Sequence, residues 1–159
     1  MSTLSIALGA DEAAFELKEK IKAYLLSIGQ EVEDYGVYST DPVLYPDVAL
    51  AVAGAVAEGK HARGILMCGT GIGMAITANK VPGIRAAVCH DPYSAERSRK
   101  SNDCQIMTMG ARVIGVELAK TLVDVWLASE FQGGGSTAKV ERITQIEEQF
   151  RTQGSMESG

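Results

Sequence analysis

Cysteine is scarce and unpaired in this chain: Cys68, Cys89 and Cys104 are odd in number, and no Cys-x-x-Cys spacing joins them. That argues against a disulfide framework or a zinc site and points to a reduced, cytoplasmic setting with no bound metal. Basic charge is lacking as well. Fifteen Lys and Arg stand against twenty Asp and Glu, a net charge of −5. Nucleic acid is therefore not the expected partner, and no basic tract offers itself to a membrane surface. No apolar run reaches the length of a membrane span, and Met1-Ser2-Thr3 does not begin like a signal peptide. Repeats and low-complexity linkers are missing too. What remains is 159 residues, 46% hydrophobic and 22% charged, the composition of one globular domain with a substantial core.

Five short apolar runs read as strands: Leu4–Leu8, Glu31–Tyr35, Gly64–Cys68, Ile84–Cys89 and Gln105–Met109. Helical patterns alternate with them near Glu12–Ser27, Pro46–Glu58, Ile72–Asn79, Pro92–Ser101 and Gly115–Ala128. This βαβα order implies a parallel sheet with helices on both faces. Residues 1–132 form the α/β body. Gly133-Gly134-Gly135 then breaks the chain, and Ser136–Phe150 reads as a last helix whose Val140, Ile143, Ile146 and Phe150 make one apolar stripe. A helix tethered through glycines has to bury that stripe, and a second subunit is the expected cover. Residues 151–159 are expected to fray.

The richest chemistry lies at Gly64 to Gly73, where a buried strand ends in Cys68 and opens at once into Gly69-Thr70-Gly71-Ile72-Gly73. Glycines there allow a tight turn whose amides converge on one anionic oxygen. Open parallel sheets put their ligands at such strand ends. A neighbouring helix start favours an anion by ~0.3–1 kcal/mol, or ~2 when partly buried, which helps a thiolate. Cys68 thus reads as a base or nucleophile, with a small buried hydrophobe as the plain alternative. A dinucleotide fingerprint fails because the spacing is GxGxG, and Asp91 is already a helix cap before Pro92. A P-loop lacks its Gly-Lys-Ser/Thr ending. A Cys-x5-Arg phosphatase loop fails because Met74 stands at the arginine position. In a receiver-like module the third strand would end in an acceptor aspartate, not Cys-Gly-Thr.

Other candidates have two readings each. Asp11 and Glu12 start a helix or contact substrate hydroxyls; Tyr45-Pro46 is a helix entry or a site residue. His61 reads as solvated and His90 as a bystander without an identifiable partner. Asn102-Asp103 reads as a turn. Arg112, Lys139 and Arg142 are surface cations or phosphate ligands.

Taken together these segments resemble the ribose-5-phosphate isomerase B / galactose-6-phosphate isomerase family over nearly the whole chain, from Ile6 to about Ile146. The resemblance is carried by Gly9-Ala10-Asp11, Phe15-Glu16-Leu17-Lys18, Asp34-Tyr35-Gly36, Tyr45-Pro46, Cys68 to Gly73, Ala78 to Ala86, Tyr93-Ser94-Ala95 and Gly110 to Gly115. It implies a Rossmann-like, three-layer α/β/α sandwich with a five-stranded parallel sheet. It also implies a homodimer, or tetramer, whose carboxy-terminal arms reach the partner's site. The implied activity is aldose–ketose isomerisation with no cofactor. By position, Cys68 is the base, the amides of Gly69, Gly71, Ile72 and Gly73 hold an enediolate oxygen, and Thr70 shuttles hydroxyl protons. Asp11, Tyr45 and Asn102 match substrate contacts, and Arg112 matches a phosphate ligand.

Departures refine the expectation. Ser101 stands where pentose-phosphate members carry a ring-opening histidine, Glu12 replaces another histidine, Gly135-Ser136 replaces Arg-His, and Lys139 replaces an arginine. A tetrose 4-phosphate has its O4 esterified and needs no ring opener. The chain also resembles the branch acting on D-erythrulose 4-phosphate, with phosphate left to Arg112, Lys139 and Arg142. The expected reaction is interconversion of D-erythrulose 4-phosphate and D-erythrose 4-phosphate. The alternatives are a ribose- or hexose-phosphate isomerase and a catalytically silent sugar-phosphate sensor.

Overall fold

The computed structural model describes residues 3–157. Met1, Ser2 and the last two residues of the expected frayed tail lie outside the described residues. Five strands, β1 (Ser5–Ala10), β2 (Glu31–Asp34), β3 (Arg63–Cys68), β4 (Ala86–Val88) and β5 (Ile106–Gly110), pair in parallel in the order β2-β1-β3-β5-β4. Six helices connect and extend them: α1 (Phe15–Ser27), α2 (Tyr45–Ala57), α3 (Ile72–Ala78), α4 (Pro92–Lys100), α5 (Val116–Leu127) and α6 (Thr137–Glu157).

Period-two alternation divides the buried strands between two cores. Ile6, Leu8, Ile65, Met67, Met107 and Met109 pack with Ile21 and Leu25 of α1 and Leu122 and Trp126 of α5. Ala7, Leu66, Cys68 and Ile106 pack with Val52 and Val56 of α2 and Met74 and Ala78 of α3. The result is the expected three-layer sandwich, with Cys68 on its α2/α3 face.

Several boundaries differ from the sequence reading. β1 runs on to Ala10, which brings Asp11 to the sheet's carboxyl edge. β4 is only three residues long, because Ile84 closes a turn onto Val81 and the side chain of Gln105 takes the Arg85 amide. The helix α6 continues to Glu157, past the Phe150 limit that the apolar stripe marks. His61 is buried rather than solvated: Nδ1 lies 2.7 Å from Ser5 Oγ, and Nε2 lies 2.8 Å from the Tyr35 hydroxyl. A tyrosine two residues beyond Glu33 on the same strand face covers it, a contact that strand spacing alone does not reveal.

Two charged clusters anchor the loops that matter for the site. Arg63, buried at the start of β3, donates to the carbonyls of Trp126 (2.7 Å) and Ser129 (2.9 Å) and to Glu130 (2.7 Å). Burial, with Arg99 nearby, pulls its pKa down to about 10. These bonds, with Gln132 N–H on the Lys100 carbonyl at 3.1 Å, tie the root of the arm to the end of α4.

The second cluster is Lys18 and Asp34, both buried and 2.5 Å apart, with Lys22 on the same oxygen at 3.2 Å. The other Asp34 oxygen accepts Gly36 N–H at 2.8 Å, where the chain leaves β2 for the loop toward Tyr45. Burial pushes the Asp34 carboxyl up, but hydrogen bonds from Lys18, Gly36 and Lys22 outweigh it and leave the value below its ordinary 3.8. A depressed folded value adds stability that is complete above the unfolded one and lost as pH falls through the folded one. Lys18→Met is expected to cost about 3 kcal/mol in urea melts, the low end for stranding a buried charge because Lys22 remains. It should also flatten the decline of stability expected of the native protein below about pH 4.

Candidate active site

The strand order reverses direction beside β1, and the crevice at such a switch point is where α/β sheets bind ligands. Asp11 leaves β1 there and Cys68 ends β3 next to it, Asp11 N–H donating to the Met67 carbonyl at 3.1 Å. From Cys68 the chain turns through Gly69-Thr70-Gly71 into α3. Gly71 has φ +79°, and a Cβ there would lie 2.8 Å from the Met109 backbone. Only glycine takes that conformation in that space. Its N–H donates to Cys68 Sγ at 3.1 Å, and its carbonyl accepts from Thr108 Oγ1 at 2.7 Å. β5 holds the turn from behind: a Cβ on Gly110 would meet Thr70 Cα at 2.6 Å and the Gly69 carbonyl at 2.7 Å.

An open pocket of about 390 Å³ lies over this turn. Asp11, Tyr45, Cys68, Gly69, Thr70, Ile72, Gly73 and Arg112 line it, all residues singled out in the sequence, together with Ile76. Asp11 is both a helix cap and a pocket residue. Its carboxylate caps the short 3-10 turn by accepting Ala14 N–H at 3.2 Å, and it faces the pocket. Burial and the charge of Glu12 raise its pKa, against the pull of the Ala14 and Ala13 amides and Arg112. Tyr45 opens α2 with its ring against Gly73. Arg112 donates its backbone N–H to the Gly69 carbonyl at 3.0 Å, and its guanidinium lies alongside Gly69 and lines the pocket.

Glu12 is not among the lining residues. It accepts Val43 N–H at 3.2 Å and so fixes the loop just before Tyr45. Ser101, Asn102, Lys139 and Arg142 are not brought to this pocket either. Ser101 and Asn102 end α4, and Lys139 and Arg142 are exposed on α6. Asn102 lines a separate cavity of about 510 Å³ with Asn79, Arg85, Arg97 and Ile143, which contains no residue of the Cys68 turn. One set of candidates thus lines the pocket over Cys68, while Glu12, Ser101, Asn102, Lys139 and Arg142 lie outside it.

Of the three cysteines, Cys89 and Cys104 are pushed up to about 11 and about 12 by burial and stay protonated. His90 does have a partner: its Nε2 accepts Gly110 N–H at 2.9 Å. Sequence reading missed the bond because it joins the ends of β4 and β5, strands separated by a helix. Among the described residues no three His, Cys, Asp or Glu gather where they would hold a metal ion, and no helix is long and apolar enough to cross a membrane.

Such a pocket can take a proton from carbon and bind an anionic group of the same ligand, a combination that suits the isomerases of phosphorylated sugars. The profile of the Ribose/Galactose Isomerase family matches residues 6–143, and the chain belongs to that family. It is 58% identical over 154 residues to D-erythrulose-4-phosphate isomerase of Pectobacterium atrosepticum, covering 94% of this chain and 99% of that protein. It is 50% identical over 143 residues to ribose-5-phosphate isomerase B of Escherichia coli, covering 90% and 96% of the two chains. Among solved structures, ribose-5-phosphate isomerase B of Clostridium thermocellum superposes with a TM-score of 0.90 at 47% identity, over 92% of this chain and 99% of that one. The chain is accordingly a sugar-phosphate isomerase.

Proposed function

We propose that the enzyme interconverts D-erythrulose 4-phosphate and D-erythrose 4-phosphate through an enediolate, in the cytoplasm and without metal or nucleotide. The Cys68 thiolate takes a proton from C1 of the ketose. The C–H electron pair becomes the C1–C2 double bond, and negative charge moves to O2. Amides of the Gly69–Gly73 turn other than Gly71 N–H, which Cys68 Sγ holds, and Ile72 N–H, which Thr70 Oγ1 holds, receive that charge. Thr70 passes the hydroxyl proton between O1 and O2, and the thiol returns its proton to C2. C1 is oxidised as C2 is reduced, so the stoichiometry calls for no redox partner. Asp11, with Glu12 behind it, and Tyr45 hold hydroxyls, and Arg112 holds phosphate. The observation that carries this reading is Gly71 N–H on Cys68 Sγ at 3.1 Å, in a pocket that also holds Arg112. A positioned base accounts for ~10²–10⁴ in rate, and each aimed donor for ~10²–10³.

The tetrose is favoured by the absence of a ring opener. Ser101 is a hydroxyl, His61 sits at the opposite, amino-terminal edge of β3, and His90 is engaged by Gly110. The name of the Pectobacterium relative supports the same substrate. Ribose 5-phosphate is the second reading, favoured by the likeness to the E. coli enzyme. A turnover panel of C4, C5 and C6 sugar phosphates decides between them. We expect kcat/KM for the tetrose to exceed that for ribose 5-phosphate by ~10-fold or more; the reverse order overturns the substrate assignment.

We further propose that Ser101, Asn102, Lys139 and Arg142 of one copy complete the pocket of a second, in a homodimer. The arm's Ile143, Ile146 and Phe150 are exposed, as are Leu44, Ile72 and Ile76 around the pocket. Two such apolar surfaces on one small chain are suited to covering each other.

A further inference from the structure

We propose that His90 is a positioning residue for the Cys68 turn. β4 ends at Val88, opposite Thr108, while β5 runs on to Gly110. The ladder's last bond between them is Cys89 N–H on the Thr108 carbonyl at 3.0 Å. Parallel pairing would hand the next donor, Gly110 N–H, to a main-chain carbonyl of β4. That strand has turned away toward the Asp91 cap of α4, and the His90 ring supplies the acceptor instead, at 2.9 Å.

Gly110 is where this matters. It pairs with Cys68 on its other side, and the next amide, Ala111 N–H, donates to the Cys68 carbonyl at 2.9 Å. Its main chain touches Thr70 and Gly69 so closely that no Cβ fits, and Arg112 follows two residues later. The imidazole therefore holds the last residue of β5, which backs the turn beside Thr108 and Met109 and lies two residues before the pocket's guanidinium. To accept this bond Nε2 carries no proton, which fixes the ring's tautomer. Without the acceptor a buried amide is left unpaired, and the end of β5 relaxes from the turn it shapes. His90 lies outside the pocket lining, so its effect falls on the geometry of the amide donors.

The inference rests on the isomerase chemistry proposed for Cys68, and the test separates the two. In the wild-type protein, imidazole nitrogen NMR should show an unprotonated, hydrogen-bonded Nε2, and the Gly110 amide should exchange slowly with solvent. In His90→Ala that exchange accelerates ~10-fold or more and kcat falls ~10-fold while KM moves less than ~2-fold. In His90→Gln, whose amide oxygen reaches the same place, both return to within ~2-fold of wild type. A protonated Nε2, an unchanged Gly110 exchange rate in His90→Ala, or a glutamine variant as slow as the alanine variant overturns the proposal. The kinetics are run on both D-erythrulose 4-phosphate and ribose 5-phosphate. A wild-type protein that turns over neither removes the catalytic reading, while Gly110 exchange and the imidazole spectrum still decide whether His90 holds the strand.

Discussion

Cys68→Ala removes turnover, by ~10²–10⁴-fold, and leaves sugar-phosphate binding within a few-fold of wild type. The reason is geometric. In the proposed reaction the thiol takes the carbon-bound proton while sitting against a main-chain donor, Gly71 N–H at 3.1 Å. The other lining groups take binding roles in that proposal: Asp11 is tied to the Ala14 amide, Tyr45 lies on Gly73, and Arg112 brackets Gly69. Alanine keeps the turn, because Gly71 and Gly110 set its shape without the sulfur. Affinity should therefore survive while chemistry stops. The direct measurement is wash-in of solvent deuterium at the substrate's C1 or C2, followed by NMR. Exchange in the alanine variant at the wild-type rate would remove Cys68 as the base, whatever became of net turnover.

The second large effect is complementation. Cys68→Ala is inactive through its base, and Asn102→Asp combined with Lys139→Glu is expected to be inactive through the α4 tip and arm. Mixed after reversible dissociation, the two proteins should regain about one quarter of wild-type activity. Half of randomly formed dimers pair unlike chains, and each such dimer assembles one intact site. Asn102 lines a cavity apart from the pocket over Cys68 and Lys139 lines neither, so complementation requires a second copy to bring them to the sulfur. If the site were built within one chain, the mixture would stay as inactive as its parts. Sedimentation of the wild-type protein at assay concentration supplies the control, since a monomer would contradict the shared site outright.

Strand ends and glycine spacing make Cys68, the 69–73 turn and Asp11 legible, because parallel sheets gather such ends on one edge. Tyr45 and Arg112 become site residues in the sequence only through the family resemblance. Side-chain bonds between elements distant in the chain are not legible. His61 looks like a surface residue until Tyr35 and Ser5 close on it from other strands. His90 looks idle until β4 stops short and leaves a donor on β5. Glu12 reads as a ligand-facing acid because it follows Asp11, yet its carboxylate is committed to the Val43 amide. Period and propensity see one segment at a time, whereas these bonds depend on where two segments stop relative to each other.

The contact between β5 and the Cys68 turn has a wider consequence. A Cβ at Gly110 would lie a mere 2.6 Å from Thr70 Cα, so nothing larger than hydrogen can be installed there, and the shape of the turn is closed to gradual retuning from this position. In the proposed shared site, redesign toward longer or shorter sugars would work on the tip of α4 and the arm. Under that proposal, changing which sugar is accepted and changing what is done to it are separate engineering problems in this scaffold.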